Sequence, residues 1–205
     1  MPQIVRDGVS IFYRVEGSGP TLVLQHGFGD SSDSLYDFGY VEALKSRYQL
    51  ILPDTRGHGQ SSKPHEPEAY TPLNFAADIT AVLDDAGIQK CRYWGYSQGG
   101  WIGFALAQHA LDRFSSFVIG GAASAGSAFQ AKPGQEDPLI AALMQGVDAL
   151  PSLFGEWLTP SIADRLRMND PAALIACRQQ RLATEGYPNI QKSPCRRFST
   201  QALPT

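Results

Sequence analysis

The sequence is short of the residues that staple, anchor or charge a chain. Its three cysteines, Cys91, Cys177 and Cys195, form an odd set with no CxxC spacing. That excludes a disulfide framework and a thiolate zinc site, and fits reduced thiols in a cytoplasmic protein. No apolar run approaches the ~20 residues needed to cross a bilayer. Residues Met1 to Ser10 mix Arg6 and Asp7 into a weak apolar pattern without a signal-peptide core. A soluble, cytoplasmic protein with no membrane partner is the expectation. Positive charge is also wanting: 17 Lys and Arg face 20 Asp and Glu, a formal net charge of −3. No basic field is available to hold phosphates, so nucleic acid is not an expected partner. Histidine is sparse as well, with four in the chain and none after His109.

What is present is an ordinary globular composition, 43% hydrophobic and 18% charged over 205 residues, enough for one domain with a sizeable core. Up to about residue 122, strand-like and helix-like segments alternate. Ile11 to Val15, Thr21 to Gln25, Tyr48 to Leu52, Cys91 to Trp94 and Phe117 to Ile119 read as strands. Helices are expected over Ser34 to Arg47, from Thr71 to Gly87, and over Gln98 to Ala110. The second of these is the best signed. Thr71 can cap it, Pro72 suits the first helical position, and Ala76, Ile79, Leu83 and Ala86 share a face. Strands separated by such helices form a parallel sheet, and ligands bind beyond its carboxyl edge.

After Gly120 the pattern changes. Gly121 to Gly134 reads as loop, and three or four helical segments follow from about Pro138 to Gly186, the last opened by Asp170 and Pro171. They suggest a helical cap over the sheet. The expected division is a core over 1–125, a cap over 126–187 and an irregular tail over 188–205.

Gly95-Tyr96-Ser97-Gln98-Gly99 is a G-x-S-x-G motif entered by a strand and left by a helix. Such a turn holds its serine in strained backbone, which the flanking glycines permit, and presents the hydroxyl at the sheet edge. The positive end of the following helix favours a developing oxyanion there. Two further motifs precede it, His26-Gly27-Phe28-Gly29 and Asp54-Thr55-Arg56-Gly57-His58-Gly59-Gln60-Ser61. With these three in order, the chain resembles the α/β-hydrolase superfamily, in its large single-domain esterase, lactonase and haloperoxidase-like branch. The likeness is tight over about the first 120 residues and loose over the cap.

The resemblance implies an α/β-hydrolase fold, a mostly parallel sheet with helices on both faces and a helical cap. It implies Ser97 as nucleophile, with the backbone N–H groups of Phe28 and Gln98 as oxyanion hole. It makes His26 a structural residue of the oxyanion loop rather than a base. Asp54, Arg56 and His58 read as a hydrogen-bonded loop scaffold, His65 as a solvated loop residue, and Trp94 and Trp101 as packing around the elbow. His109 lies about twelve residues along the helix from Ser97, roughly 18 Å away at ~1.5 Å per residue. Phe129, Met144, Phe154 and Trp157 are candidates to line an acyl pocket under the cap.

In this fold the acid and histidine follow the serine in sequence. Here no histidine follows His109, and Ser193 to Ser199 suits neither a buried strand nor a catalytic loop. The expectation is a chain truncated or frame-shifted after the cap, its last strands missing. The strand at Phe117 to Ile119 would then offer an open edge for self-association. Two readings result. One is a serine hydrolase acting on a small carboxylic ester or lactone through an acyl-enzyme, impaired in this chain, with C–C hydrolysis and perhydrolysis unseparated from it. The other is a catalytically dead member acting at most as a binding module. No metal or organic cofactor is implied, and dehalogenase or epoxide hydrolase chemistry is disfavoured because it needs a carboxylate at position 97. Should the chain prove active, His58 is the first substitute base to test.

Overall fold

The computed structural model describes residues 2–124, 136–150, 153, 160–184 and 186–187. The candidate pocket residues Phe129, Phe154 and Trp157, the thiol of Cys195 and the tail lie outside the described residues. Six strands form one sheet: β1 (Gln3–Arg6), β2 (Val9–Glu16), β3 (Thr21–Gln25), β4 (Gln49–Pro53), β5 (Cys91–Tyr96) and β6 (Phe114–Gly120). Their order is β1-β2-β4-β3-β5-β6. β1 pairs antiparallel with β2 and β2 with β4, while β4, β3, β5 and β6 run parallel.

β1 is an addition to the sequence reading. Asp7 and Gly8 join it to β2 with φ of 50° and 78°. Positive φ at both central residues is the two-residue turn whose twist suits a hairpin, and Asp-Gly is its favoured pair. The segment has only two apolar residues, adjacent Ile4 and Val5, the first half-buried and the second exposed, which is why its pattern reads as weak.

Between the parallel strands lie α1 (Asp33–Asp37), α2 (Tyr40–Leu44), α3 (Pro72–Asp85) and α4 (Gln98–His109). The single helix expected over Ser34 to Arg47 is two short ones, because Gly39 takes φ 76° and reverses the chain between them. α3 starts as its sequence dictates: Thr71 Oγ1 accepts from the Asn74 N–H at 3.2 Å, with Pro72 at the first position.

β3 and β4 are nearly continuous apolar runs because both faces are covered. Val23, Ile51, Tyr93, Phe117 and Ile119 pack with α3 and α4 on one side. Leu24, Leu50 and Leu52 pack with Leu35 and Val41 of α1 and α2 on the other. On that second side, among the described residues, Val118 of β6 is left 46% exposed.

After β6 come α5 (Pro138–Gln145), α6 (Pro160–Arg167) and α7 (Pro171–Ala183). Asp170 caps α7, its Oδ1 accepting from the N–H groups of Ala172 at 2.9 Å and Ala173 at 3.3 Å. Ala142, Leu143, Leu150, Leu166 and Leu174 make a small core of their own, and Phe28 packs against it from below. A buried ion pair, Arg178 with Asp137 at 2.7 Å, ties α7 to the start of α5. Met144 does not line a pocket: it is 65% exposed, on the outer face of α5. Among the described residues no helix is long and apolar enough to cross a membrane.

Candidate active site

One residue, Ser97, separates the end of β5 from the start of α4. Its φ and ψ are 54° and −115°. Among the described residues only Asp7 shares a positive φ without being glycine. That ψ lies well outside the small left-handed well open to side-chain-bearing residues, a strain of ~1–3 kcal/mol. The surrounding main chain holds it there. Ser97 donates its N–H to the Gly120 carbonyl at 2.8 Å and accepts from the Trp101 N–H at 3.0 Å.

Glycines make this possible by letting backbone touch backbone. A Cβ on Gly95 would collide with the Gly99 carbonyl oxygen. One on Gly99 would collide with the Gln25 carbonyl and come within 2.9 Å of that of His26. The Tyr93 hydroxyl closes the contact, donating to the Gly99 carbonyl at 2.7 Å. α4 therefore rises directly off the sheet, and half-buried Ser97 sits at the positive end of a 12-residue helix. Gln98 opens that helix, so its N–H has no acceptor within it.

Facing Ser97 is the turn Gly27-Phe28-Gly29-Asp30, closed by a weak bond from the Asp30 N–H to the Gly27 carbonyl at 3.4 Å, with Gly29 at φ 72°. The turn abuts the serine: a Cβ on Gly27 would stand 3.6 Å from Ser97 Cβ. Ser97, Gln98 and the turn containing Phe28 thus share one end of the sheet. The Gln98 side chain reaches further, its Nε2 lying 3.5 Å from Cys177 Sγ on α7. Burial pushes that thiol up to about 12, so it stays protonated.

Each of the four histidines has another position. His26 spans the loop, with Nδ1 donating to the Gly27 carbonyl at 2.8 Å and Nε2 accepting from the Thr55 N–H at 3.0 Å. His58 is fully buried, and Nδ1 donates to the Arg56 carbonyl at 3.0 Å. Desolvation, with the neighbouring His26, holds its pKa down at about 3, so the ring is neutral. His65 is not simply solvated, because its Nε2 pairs with Asp170 Oδ2 at 2.8 Å and joins the Pro-rich loop to the cap of α7. His109, at the far end of α4, is exposed. Among the described residues no imidazole hydrogen-bonds Ser97.

The loop residues form the expected scaffold. Asp54 accepts from the N–H groups of Ser32 at 2.7 Å and Gln60 at 2.8 Å. Arg56 grips Asp78 through two bonds of 2.6 and 2.7 Å, and Arg6 adds a third at 3.0 Å. Trp101 is buried, whereas Trp94 is half-buried and meets Tyr40 in a tilted contact with ring centroids 4.8 Å apart.

This geometry agrees with what comparison finds. A family model described as alpha/beta hydrolase fold matches residues 20–180. The chain belongs to the alpha/beta hydrolase fold family. An epoxide hydrolase of Caballeronia sordidicola is 32% identical over 114 residues, 55% of this chain and 34% of that protein. The enol-lactonase of Burkholderia xenovorans LB400 shares 25% identity at a TM-score of 0.76, over 90% of this chain and 74% of that one. The esterase RhEst1 of Rhodococcus sp. ECU1013 shares 27% at a TM-score of 0.71, over 85% and 70% respectively. The chain spans less than half the length of the curated relatives it matches.

The contacts that bind the cap to the Phe28 turn escape sequence reasoning. Asn169 Nδ2 donates to the Gly29 carbonyl at 2.7 Å, and Arg165 Nε to Asp30 Oδ1 at 2.8 Å. Their partners are about 135 to 140 positions away, and no local pattern marks them.

Proposed function

We propose that this alpha/beta hydrolase chain carries the nucleophile and oxyanion site of a serine hydrolase that cleaves a small carboxylic ester or lactone through an acyl-enzyme. The observation that carries the reading is the backbone of Ser97, held at φ 54° and ψ −115° on a one-residue turn between strand and helix. A protein stores strain of that kind where it presents a side chain for use. In the proposed reaction Ser97 Oγ attacks the carbonyl carbon and loses its proton to a base. The N–H groups of Phe28 and Gln98 donate to the oxygen as it becomes negative. Collapse expels the alcohol and leaves the acyl group on Ser97, and water then releases the acid. Fixed donors need no reorganisation during this charge build-up, and losing one costs about 10²–10³ in rate.

The relatives named as lactonase and esterase support the substrate class. The relative named as an epoxide hydrolase does not redirect it, because residue 97 here is a hydroxyl rather than a carboxylate. The four histidines argue for low turnover by this chain, since none of them hydrogen-bonds Ser97. A missing base costs on the order of 10⁶ in turnover. The same observation favours the second reading, an inactive member that binds a ligand over the same site.

Labelling with a fluorophosphonate probe separates the two. A tag that is absent in Ser97→Ala supports the hydrolase, accompanied by p-nitrophenyl acetate hydrolysis only slightly above background. A folded chain that stays blank supports the binding module.

A further inference from the structure

The Phe28 turn is weak on its own, with one bond of 3.4 Å across it and a left-handed glycine at its third position. It is also held from outside: His26 Nδ1 donates to the Gly27 carbonyl at 2.8 Å, and three cap residues, Arg165, Leu166 and Asn169, meet Gly29 and Asp30. Asn169, 9% exposed, uses both hydrogens of its amide, one on the Gly29 carbonyl at 2.7 Å and the other on the Arg165 carbonyl at 2.9 Å. Both partners are acceptors, so the amide nitrogen must face them. Arg165 holds the next residue, pairing Nε with Asp30 Oδ1 at 2.8 Å and Nη1 with Asp37. Leu166 fills the space above Gly29 so closely that a Cβ on that glycine would collide with it.

We infer that Asn169, with Arg165, is a positioning residue that fixes the Phe28 N–H for the developing oxyanion, so that the site is complete only while the cap is docked. The inference rests on the serine-hydrolase reading for its catalytic meaning, and on the contacts alone for the clasp. Asn169 never touches the substrate in this account. It acts through the carbonyl of Gly29, which belongs to the Gly29–Asp30 peptide and fixes the far side of the turn, two peptide links from the Gly27–Phe28 peptide whose own carbonyl His26 Nδ1 holds at 2.8 Å.

The test uses the full chain and the variant Asn169→Asp, which keeps shape but cannot donate at neutral pH. Arg165→Met is a second, independent release, and Arg167→Met is the control, since its partners Asp148 and Asp164 lie within the cap. Hydrogen–deuterium exchange is followed on peptides covering residues 27–31, β3 and α4. Fluorophosphonate labelling of Ser97 is followed in parallel, resolved into maximal rate and half-saturating probe concentration.

The expected result in both release variants is exchange about fivefold faster over 27–31 alone, the equivalent of one lost hydrogen bond of ~1 kcal/mol. The maximal labelling rate falls about tenfold, part of what a lost oxyanion donor costs, while half-saturation stays within about twofold. The control changes neither. Unchanged exchange over 27–31 overturns the clasp. Faster exchange with an unchanged maximal rate overturns the positioning role and leaves Asn169 a structural residue. If the unaltered chain takes no Ser97-dependent label, the serine-hydrolase reading and the positioning role fail together, while exchange still decides the clasp.

Discussion

Replacing Ser97 by glycine should stabilise the protein even as it removes the proposed nucleophile. The residue sits at φ 54° and ψ −115°, and its hydroxyl makes no capping bond to the helix it opens. Ser97→Ala therefore keeps the Cβ and the strain while losing no cap, and serves as the reference. Ser97→Gly removes the Cβ. Strain relief is worth ~1–3 kcal/mol, offset by ~0.5–1 kcal/mol for the greater freedom of glycine in the unfolded chain. The balance is about 1 kcal/mol in favour of glycine, or about 2–4 °C in Tm for a chain of this size. In urea, with a slope of about 2 kcal/mol/M, the midpoint should rise by about 0.5 M at unchanged slope. Both variants should be blank to the probe. A glycine variant no more stable than the alanine one would show that position 97 is unstrained and would remove the main support for the hydrolase reading.

Three other outcomes can be checked on the same material. Asp78→Ala strips the carboxylate from Arg56, which is 3% exposed, and should cost about 3–5 kcal/mol in urea unfolding; a loss under ~1 kcal/mol refutes the buried pair. Acid should destabilise the chain through His58, whose folded pKa of about 3 lies below its unfolded value of about 6.5. The unfolded state then binds the proton that the native state refuses. Stability is intact above pH 6.5 and falls by about 1.4 kcal/mol per unit below it, about 2 kcal/mol by pH 5. His58→Gln should flatten that slope, and an unchanged slope refutes the assignment. Self-association through the β6 edge should grow with concentration in sedimentation runs and weaken in Val118→Lys, which places a charge where the strand is 46% exposed; a monomer throughout refutes it.

Where sequence told most, the cause was local. Pro72 after Thr71, Pro171 after Asp170, and the nearly continuous apolar run of Thr21 to Gln25 each name an element through its own backbone needs. The elbow was legible for the same reason, since Gly95 and Gly99 are there because no side chain fits. Gly39 and the Asp7-Gly8 pair carried equally local signals, visible once left-handed backbone is considered at those positions. What stayed hidden was set by distant partners. The exposure of Met144 depends on which face of α5 the cap buries, and the pairing of His65 with Asp170 on a fold that joins residues 105 positions apart. Arg165 and Asn169 belong to the same class, because nothing near them in sequence says that they reach the Phe28 turn.

The glycine contacts beneath α4 bear on how such a scaffold can diverge. Ser97 and the start of its helix are seated chiefly on main chain, at Gln25, His26 and Gly120, with the Tyr93 hydroxyl closing the contact. Rewriting cap side chains, the natural way to admit a new substrate, leaves that main-chain seat untouched and reaches this half of the site only where Cys177 meets the Gln98 side chain. The half at Phe28 is held by His26 and by Arg165 and Asn169 of the cap, and on the positioning role inferred above it responds when those two cap residues change. New specificity is therefore most accessible through cap changes that spare positions 165 and 169, and drift at those two should show itself as slower chemistry on every substrate alike.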